Sequence, residues 1–465
     1  MLMKISGLAR PLVSTSLVVL LAGCSTLGMD YAQPQITLSN AYAQKGSTGP
    51  AVTAETRWWS AFGDKTLDGL IDEGLAQNLT VAQALENIAA ARATARINGV
   101  SYDPTVNGSA SASASGNFDN ASSVTHSRNA AIDASWEVDF FGTAKRNRDV
   151  QAANIDAAIE GANAARLTLI GDIARTYVNI RTYQRRLSLA KASLNTQQET
   201  TGVVQKRFEA GASTALAVAQ SEGQSQTTAA SIPSLEVALQ QSINALAVLL
   251  GKEPAALKGK LGGSGSIPVV RKSIGAGVPA DLLRNRPDVR QSERALAAAV
   301  SKIGIAEADL YPSLTLSGTL STTGDVSSWS FLPTLSLPIF NRDKLTGSVD
   351  LAKSTAKSDY LAYRAAVLGS VQDVEDALVA YSKERTRRAA LAAAVDSYSK
   401  AQELSQSLYK AGSADYSEVL TAQASLQSAQ DALAQSDATL ATAYITLAKA
   451  LGGGWAAGTT SKAGK

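Results

Sequence analysis

The run VNGSASASASGNF at 106–118 decides the fold. Laid out as a strand, it puts Val106, Gly108, Ala110, Ala112, Ala114 and Gly116 on one face. Asn107, Ser109, Ser111, Ser113, Ser115 and Asn117 fall on the other. A strict two-residue period belongs to a sheet with one dry and one wet face. Three more runs share it. Ala130, Ile132, Ala134, Trp136, Val138 and Phe140 alternate with Ala131, Asp133, Ser135, Glu137 and Asp139. Leu314, Leu316, Gly318 and Leu320 alternate with serines and threonines. Trp329, Phe331, Leu335, Leu337 and Ile339 are set against Ser330, Thr334 and Ser336. Each run has about ten residues or more, enough to cross a bilayer as a tilted strand. A soluble sandwich with one solvated face has the same period, so alternation alone leaves both readings open.

Working outward, each pair of strands lies inside one copy of an internal repeat. Val81–Pro104 aligns without a gap on Val289–Pro312, and Val81, Gln83, Ala89, Ile97 and Pro104 recur as Val289, Gln291, Ala297, Ile305 and Pro312. Phe208-x-x-Gly211 recurs as Tyr409-x-x-Gly412, and Leu250-Gly251 as Leu451-Gly452. Each copy reads as helix, two strands, a long helix, a turn and a returning helix. Thr143 to about Phe208 and Lys344 to about Tyr409 contain no proline, and each would be near 100 Å long at about 1.5 Å per residue. Gly211 and Gly412 suit the left-handed residue that ends a helix, so the turns are expected at 209–214 and 410–416. Leu187, Leu194, Leu404 and Leu408 have the spacing of a packing seam. Four strands cannot close a barrel, and lipid does not tolerate an open edge. The chain must therefore combine with copies of itself. A dimer would give a plugged barrel and a trimer a passable one.

The N-terminus is an export signal. Lys4 and Arg10 precede a short apolar run, Leu12–Leu21, that is too short to span a bilayer as a helix. Leu21-Ala22-Gly23-Cys24 then resembles a bacterial lipobox, in which Cys24 becomes the acylated first residue. Cys24 is the only cysteine of the 465 residues, so no disulfide is available. Ser25 after it leans towards the outer membrane. The net charge of +3 is small for this length and indicates no nucleic-acid partner.

Several segments together resemble the TolC-like outer membrane factor family, in its lipidated efflux branch of NodT-type lipoproteins. They are Trp58-Trp59 with Phe62, Leu67, Leu70 and Ile71; Leu282-Leu283-Arg284-Asn285-Arg286-Pro287-Asp288-Val289; Tyr311-Pro312-Ser313-Leu314; and Ala450-Leu451-Gly452-Gly453-Gly454-Trp455. The resemblance covers about residues 30 to 455. It implies a mixed α and β membrane protein. Four strands per protomer enter a trimeric 12-stranded outer membrane β-barrel, continuous with a 12-helix periplasmic α-barrel and an equatorial region. It implies a homotrimer, a periplasmic adaptor, an inner membrane pump of the RND type, contact with outer membrane lipid, and no cofactor. The division expected is a signal peptide at 1–23 and a first repeat at 24–260, with strands at about 105–118 and 129–141 and a hairpin at about 143–250. A linker at 261–278 in the equatorial region follows. The second repeat is 279–455, with strands at about 313–322 and 329–340 and a hairpin at about 344–451, and a tail occupies 456–465.

The resemblance places adaptor docking at Gly211, Ala212, Ser213, Gly412 and Ser413. A duct open at rest would leak, so a periplasmic gate is expected near the tip. Many relatives carry an Asp two residues before a Gln on the last helix; here that position is Thr421, before Gln423. Asp415 and Glu418 are the nearest acids, three residues apart on one helix side, and three copies would make cation-favouring rings. Asp415 as a plain helix cap is the competing reading. Repeat symmetry sets Glu209 against Tyr409 and Lys410 as a latch. His126, the only histidine, falls in the connection between the first two strands, and no metal cluster or nucleophile-base set can be assembled, so no enzyme is expected. Two alternatives to an efflux duct stay open: the duct of a type I protein secretion system, and a periplasm-spanning scaffold. The four amphipathic strands argue against the scaffold, which has no use for them.

Overall fold

The computed structural model describes residues 26–44, 51–117, 120–271 and 275–456. In chain order the main elements are α1 (Lys65–Gln77), α2 (Leu79–Gly99), β1 (Thr105–Asn117), β2 (Asn120–Val138), α3 (Thr143–Glu209), α4 (Ala215–Leu249), α5 (Pro287–Ala308), β3 (Ser313–Thr323), β4 (Val326–Ser336), α6 (Arg342–Lys410) and α7 (Tyr416–Ala450). Among the described residues the chain divides into two compact units, one drawn from 26–36, 86–159 and 291–365, the other from 37–85, 160–290 and 366–456.

The first unit holds the sheet. Its four strands run antiparallel in the order β1-β2-β3-β4. The joint between the two repeats is β2 on β3, with Ile132 opposite Leu320, Trp136 opposite Leu316 and Val138 opposite Leu314. Register keeps like with like over the middle of the sheet, whereas Arg128 and His126 of β2 fall opposite Ala112 and Ala114 of β1. The row Gly108, Ile132, Leu320, Trp329 lies on one face, and Asn107, Asp133, Thr319, Ser330 on the other. The apolar face is bare: Trp329 is 76% exposed, Leu335 68% and Phe331 63%. On the polar face the Thr319 hydroxyl donates to Asp133 at 2.8 Å. Leu332 breaks the pattern, for it shares the polar face with Ser135 and Ser317.

The strand limits differ from the sequence reading. β2 begins at Asn120 instead of 129, so His126 lies within the strand, opposite Ala114, and not in a connection. Ladder bonds are made by the backbone, and the serines there are no obstacle to them. β2 ends at Val138 instead of 141, because the Asp139 carboxylate accepts from the Thr143 and Ala144 amides and starts α3. β3 runs one residue further, to Thr323, and Thr323 pairs with Val326, which begins β4 at 326 instead of 329. β4 stops at Ser336 instead of 340, two residues before Pro338, which has no amide to give. Phe118 lies outside the described residues.

The second unit is built on a large apolar core. Trp58, Trp59, Phe62, Leu67, Leu70 and Ile71 meet Ile170, Ile173, Tyr177 and Ile180 of α3, Ile243 and Leu246 of α4, and Tyr444 and Ile445 of α7. The indole of Trp58 donates to the Gly453 carbonyl at 3.1 Å, and that of Trp455 to the Asn285 carbonyl at 3.0 Å. A Cβ on Gly454 would sit 2.7 Å from the Trp59 ring and 2.9 Å from Trp58 Nε1, so only glycine fits there. Two separate sequence motifs are thus one packing unit. Arg286, just before Pro287 opens α5, donates to Asp288 at 2.6 Å and to Asp373 at 2.8 Å. Residues 261–278, expected as a linker in the equatorial region, follow on from a one-turn helix, Lys258–Leu261, and the Arg271 amide donates to the Ala61 carbonyl at 2.8 Å.

The helices α3 and α6 have 67 and 69 residues, against 35 each for α4 and α7. No helix among the described residues is long and apolar enough to cross a membrane.

Candidate functional site

The tips of the two hairpins are built alike. At Gly211 φ is 74°, the Gly211 amide donates to the Phe208 carbonyl and the Ala212 amide to the Arg207 carbonyl. At Gly412 φ is 79°, with Gly412 bonded to Tyr409 and Ser413 to Leu408 in the same pattern. This is the Schellman ending, which satisfies carbonyls the helix leaves free. The two returning helices start differently. Thr214 caps α4 by accepting from the Ala217 amide at 3.1 Å. Asp415 occupies the corresponding N-cap of α7 but accepts no capping hydrogen bond.

Beneath the turns lies a small core of Val204, Ala217, Tyr409, Tyr416 and Val419. The rings of Tyr409 and Tyr416 meet edge to face at 5.9 Å. Burial, and then the neighbouring Tyr409, push the Tyr416 phenol above its ordinary pKa. Arg207 ties the hairpins together: its guanidinium lies 4.6 Å over the Tyr409 ring and also donates to the Tyr409 carbonyl. Further along, Gln423 Nε2 donates to the Thr200 hydroxyl at 3.1 Å, and Arg186 holds Asp431 at 2.6 Å.

The residues singled out from sequence are distributed as follows. Gly211, Ala212, Gly412 and Ser413 are exposed, and Ser213 is half-buried. Asp415 and Glu418 are both exposed, one turn apart at the start of α7. Glu209, Tyr409 and Lys410 do not come together as a latch. Glu209 accepts from Gln205 Nε2 of its own helix at 3.1 Å, and Arg207 is what reaches Tyr409. Sequence reasoning missed Arg207, although a signal was present. The repeat that matches Phe208 to Tyr409 sets Arg207 against Leu408, an asymmetry between otherwise equivalent turns. Leu404 and Leu408, read as a packing seam, are 64% and 47% exposed in the protomer, and the seam is filled by Val204, Tyr409 and Val419 instead. Cys24 lies outside the described residues. Among the described residues no group of three or more His, Cys, Asp or Glu could hold a metal ion.

The family described as "Outer membrane efflux protein" matches residues 70–252 and 278–453. Nodulation protein T of Rhizobium leguminosarum bv. trifolii is 37% identical over 449 residues, covering 94% of this chain and 96% of that protein. The cation efflux system protein CusC of Escherichia coli O6:H1 is 30% identical over 447 residues, covering 94% and 96%. Among solved structures, the outer-membrane channel OprN superposes with a TM-score of 0.85 at 28% identity, covering 92% of this chain and 99% of that one.

Proposed function

Because the chain belongs to the outer membrane efflux protein family, we propose that three copies of it close the four-stranded sheet into one barrel and serve as the exit duct of a tripartite pump. The protein is an outer membrane efflux component that works with a periplasmic adaptor and an inner membrane pump. The observation that carries the trimeric reading is the sheet itself. Its apolar face is bare across four strands, and β1 and β4 are its outermost strands, each with one edge facing no other strand among the described residues. Lipid accepts the face and a second copy accepts the edges. Three sheets of four strands give a barrel wide enough to pass a solute, whereas two give one filled by side chains.

Cys24 is proposed to carry the lipid that helps hold the chain in the outer membrane. Cys24→Ser should block processing at this site, and mass spectrometry of the mature protein reads the acyl groups directly. The exposed tip residues Gly211, Ala212, Ser213, Gly412 and Ser413 are proposed to meet the adaptor, and the inner membrane partner to be of the RND type. Passage is passive: the duct supplies a wall and a gate, and the inner membrane pump supplies the driving force. The test of the central claim is the mass of the detergent-purified protein together with its conductance in a planar bilayer. A three-protomer mass and steady single-channel steps are expected. A monomer that inserts without conducting contradicts the reading.

A further inference from the structure

The first described residues after Cys24 lie in a built seat. The Leu27 amide donates to the Phe141 carbonyl at 3.0 Å, three residues beyond the end of β2. Arg146, on the first turn of α3, then wraps the segment: its Nε donates to the Leu27 carbonyl at 2.8 Å, Nη2 to the Gly28 carbonyl at 2.6 Å and Nη1 to the Asp30 carboxylate at 2.8 Å. The Arg146 side chain is only 3% exposed. Lys145 reaches the same carboxylate at 3.0 Å, and these two cations hold Asp30 below the ordinary carboxylate range, Lys145 first. The floor of the seat is glycine. A Cβ on Gly304 would lie 2.8 Å from the Leu27 carbonyl oxygen, one on Gly28 would lie 2.6 Å from the Gly304 Cα, and one on Gly142 would collide with Thr26. Gly304 sits inside α5, where glycine is less favourable than alanine. The close approach of Leu27 accounts for it. Further along, Tyr31 donates to Glu293 at 2.6 Å as a second hold on the same segment.

We infer that Arg146 and its glycine floor are a positioning device for the lipid anchor: they fix the height of the acylated N-terminus at the foot of β2. The inference rests on the reading of Cys24 as the lipidated residue. Leu27 is three residues along the chain from Cys24, a reach of about 10 Å at most. With Leu27 seated, the acyl chains enter the leaflet that the foot of β2 also enters. Without Arg146 and the seat of Leu27, the next holds are the exposed Lys145–Asp30 pair and Tyr31, and the reach rises to about 20–25 Å. The acyl chains and the strands would then be free to find the membrane independently. A buried guanidinium with two backbone carbonyls and a carboxylate suits this task because its planar fork fixes direction as well as distance.

The test uses the full acylated protein. In Arg146→Ala, amide hydrogen exchange in the peptide covering residues 25–31 should be about tenfold faster or more, since charged hydrogen bonds close that segment. Outer membrane trimers should fall severalfold while mass spectrometry still finds the lipid on Cys24. Arg146→Lys should recover little, because a point charge cannot replace the fork. The decisive comparison repeats Arg146→Ala in Cys24→Ser protein exported behind a leader cleaved without lipidation. A device that acts through the anchor has no further effect on trimer yield there. Equal losses with and without the lipid would show that Arg146 merely supports the fold, and would overturn the proposal. So would wild-type exchange in the acylated Arg146→Ala protein, or faster exchange with undiminished trimers. An unmodified Cys24 in the wild-type protein would overturn the lipid reading, while the exchange measurement would still report on the seat.

Discussion

Arg207 touches Tyr409 both at the ring and at the backbone, so it joins the two hairpins at the level proposed for the gate. Arg207→Ala is expected to loosen that joint and raise resting conductance in planar bilayers, and Arg207→Lys to do so less, since an ammonium keeps the ring contact but not the fork. The double variant Glu209→Ala with Lys410→Ala should matter less than Arg207→Ala, because Glu209 bonds within its own helix. Wild-type conductance in Arg207→Ala would remove Arg207 from the gate. At Gly412 the backbone is left-handed, where a side chain costs about 1–2 kcal/mol and a branched one more. Gly412→Val should therefore distort the exposed turn and abolish efflux while trimers persist, which a drug-susceptibility assay and native gels read separately. Full drug resistance in that variant would remove this turn from the docking surface. Asp415 and Glu418 are proposed as the acidic ring. Neutralising both should weaken cation selectivity, seen as a shifted reversal potential, whereas an unchanged potential leaves Asp415 as a helix start and nothing more.

Strands and helices each carry one test. Phe331 and Ser330 are neighbours on β4 that register assigns to opposite faces of the sheet. Phe331→Arg should cost about 2–4 kcal/mol if that face meets lipid near the bilayer midplane, and should cut outer membrane trimers sharply. Ser330→Arg should leave assembly intact and change ion selectivity instead. The opposite pattern would mean that the sheet is inside out. In the helical unit, Arg286 with Asp288 and Asp373 clamps the start of α5. Burial pushes the Asp288 carboxyl up, but the Arg286 hydrogen bond and charge outweigh it and hold the carboxyl below its ordinary value. A depressed carboxyl stabilises the fold fully above its unfolded pKa of about 3.9 and loses that contribution as pH falls through the lower folded value. Asp288→Asn should accordingly lower the melting temperature at pH 7, and the difference from wild type should shrink progressively as pH falls below about 3.9. A constant difference across that range would deny the ion pair its part.

At the scale of the whole molecule, the periodicities in the sequence were enough to find the elements, and the repeat was enough to find their order. Alternation of Ala and Ser at 106–118 reads as strand because nothing but a sheet uses that period. The same Ala and Ser residues hide where a strand ends, since pairing is a property of the backbone, and β2 is longer than its composition suggests for that reason. The tip contacts were less legible. Repeat symmetry points to Glu209 and Lys410, but side chains one turn away compete for the same partners, and the competition depends on distances no spacing rule supplies. The seat of Arg146 was illegible because it joins residues over a hundred positions apart through backbone carbonyls, which carry no residue identity. That long separation recurs in the sheet, where β2 pairs with β3 across the two repeats, and it sets a timetable. The β1–β2 and β3–β4 hairpins close locally, whereas the β2–β3 joint requires a segment of about 175 residues to bring its ends together, and it is expected to form last of the three pairings. Until it forms, one edge of each hairpin stands without that neighbour. The first hairpin is rich in Ala, Ser and Gly, whereas the second carries Trp329, Phe331, Leu332 and Leu335. The second hairpin is therefore the one whose waiting edge most needs protection from aggregation before it reaches lipid.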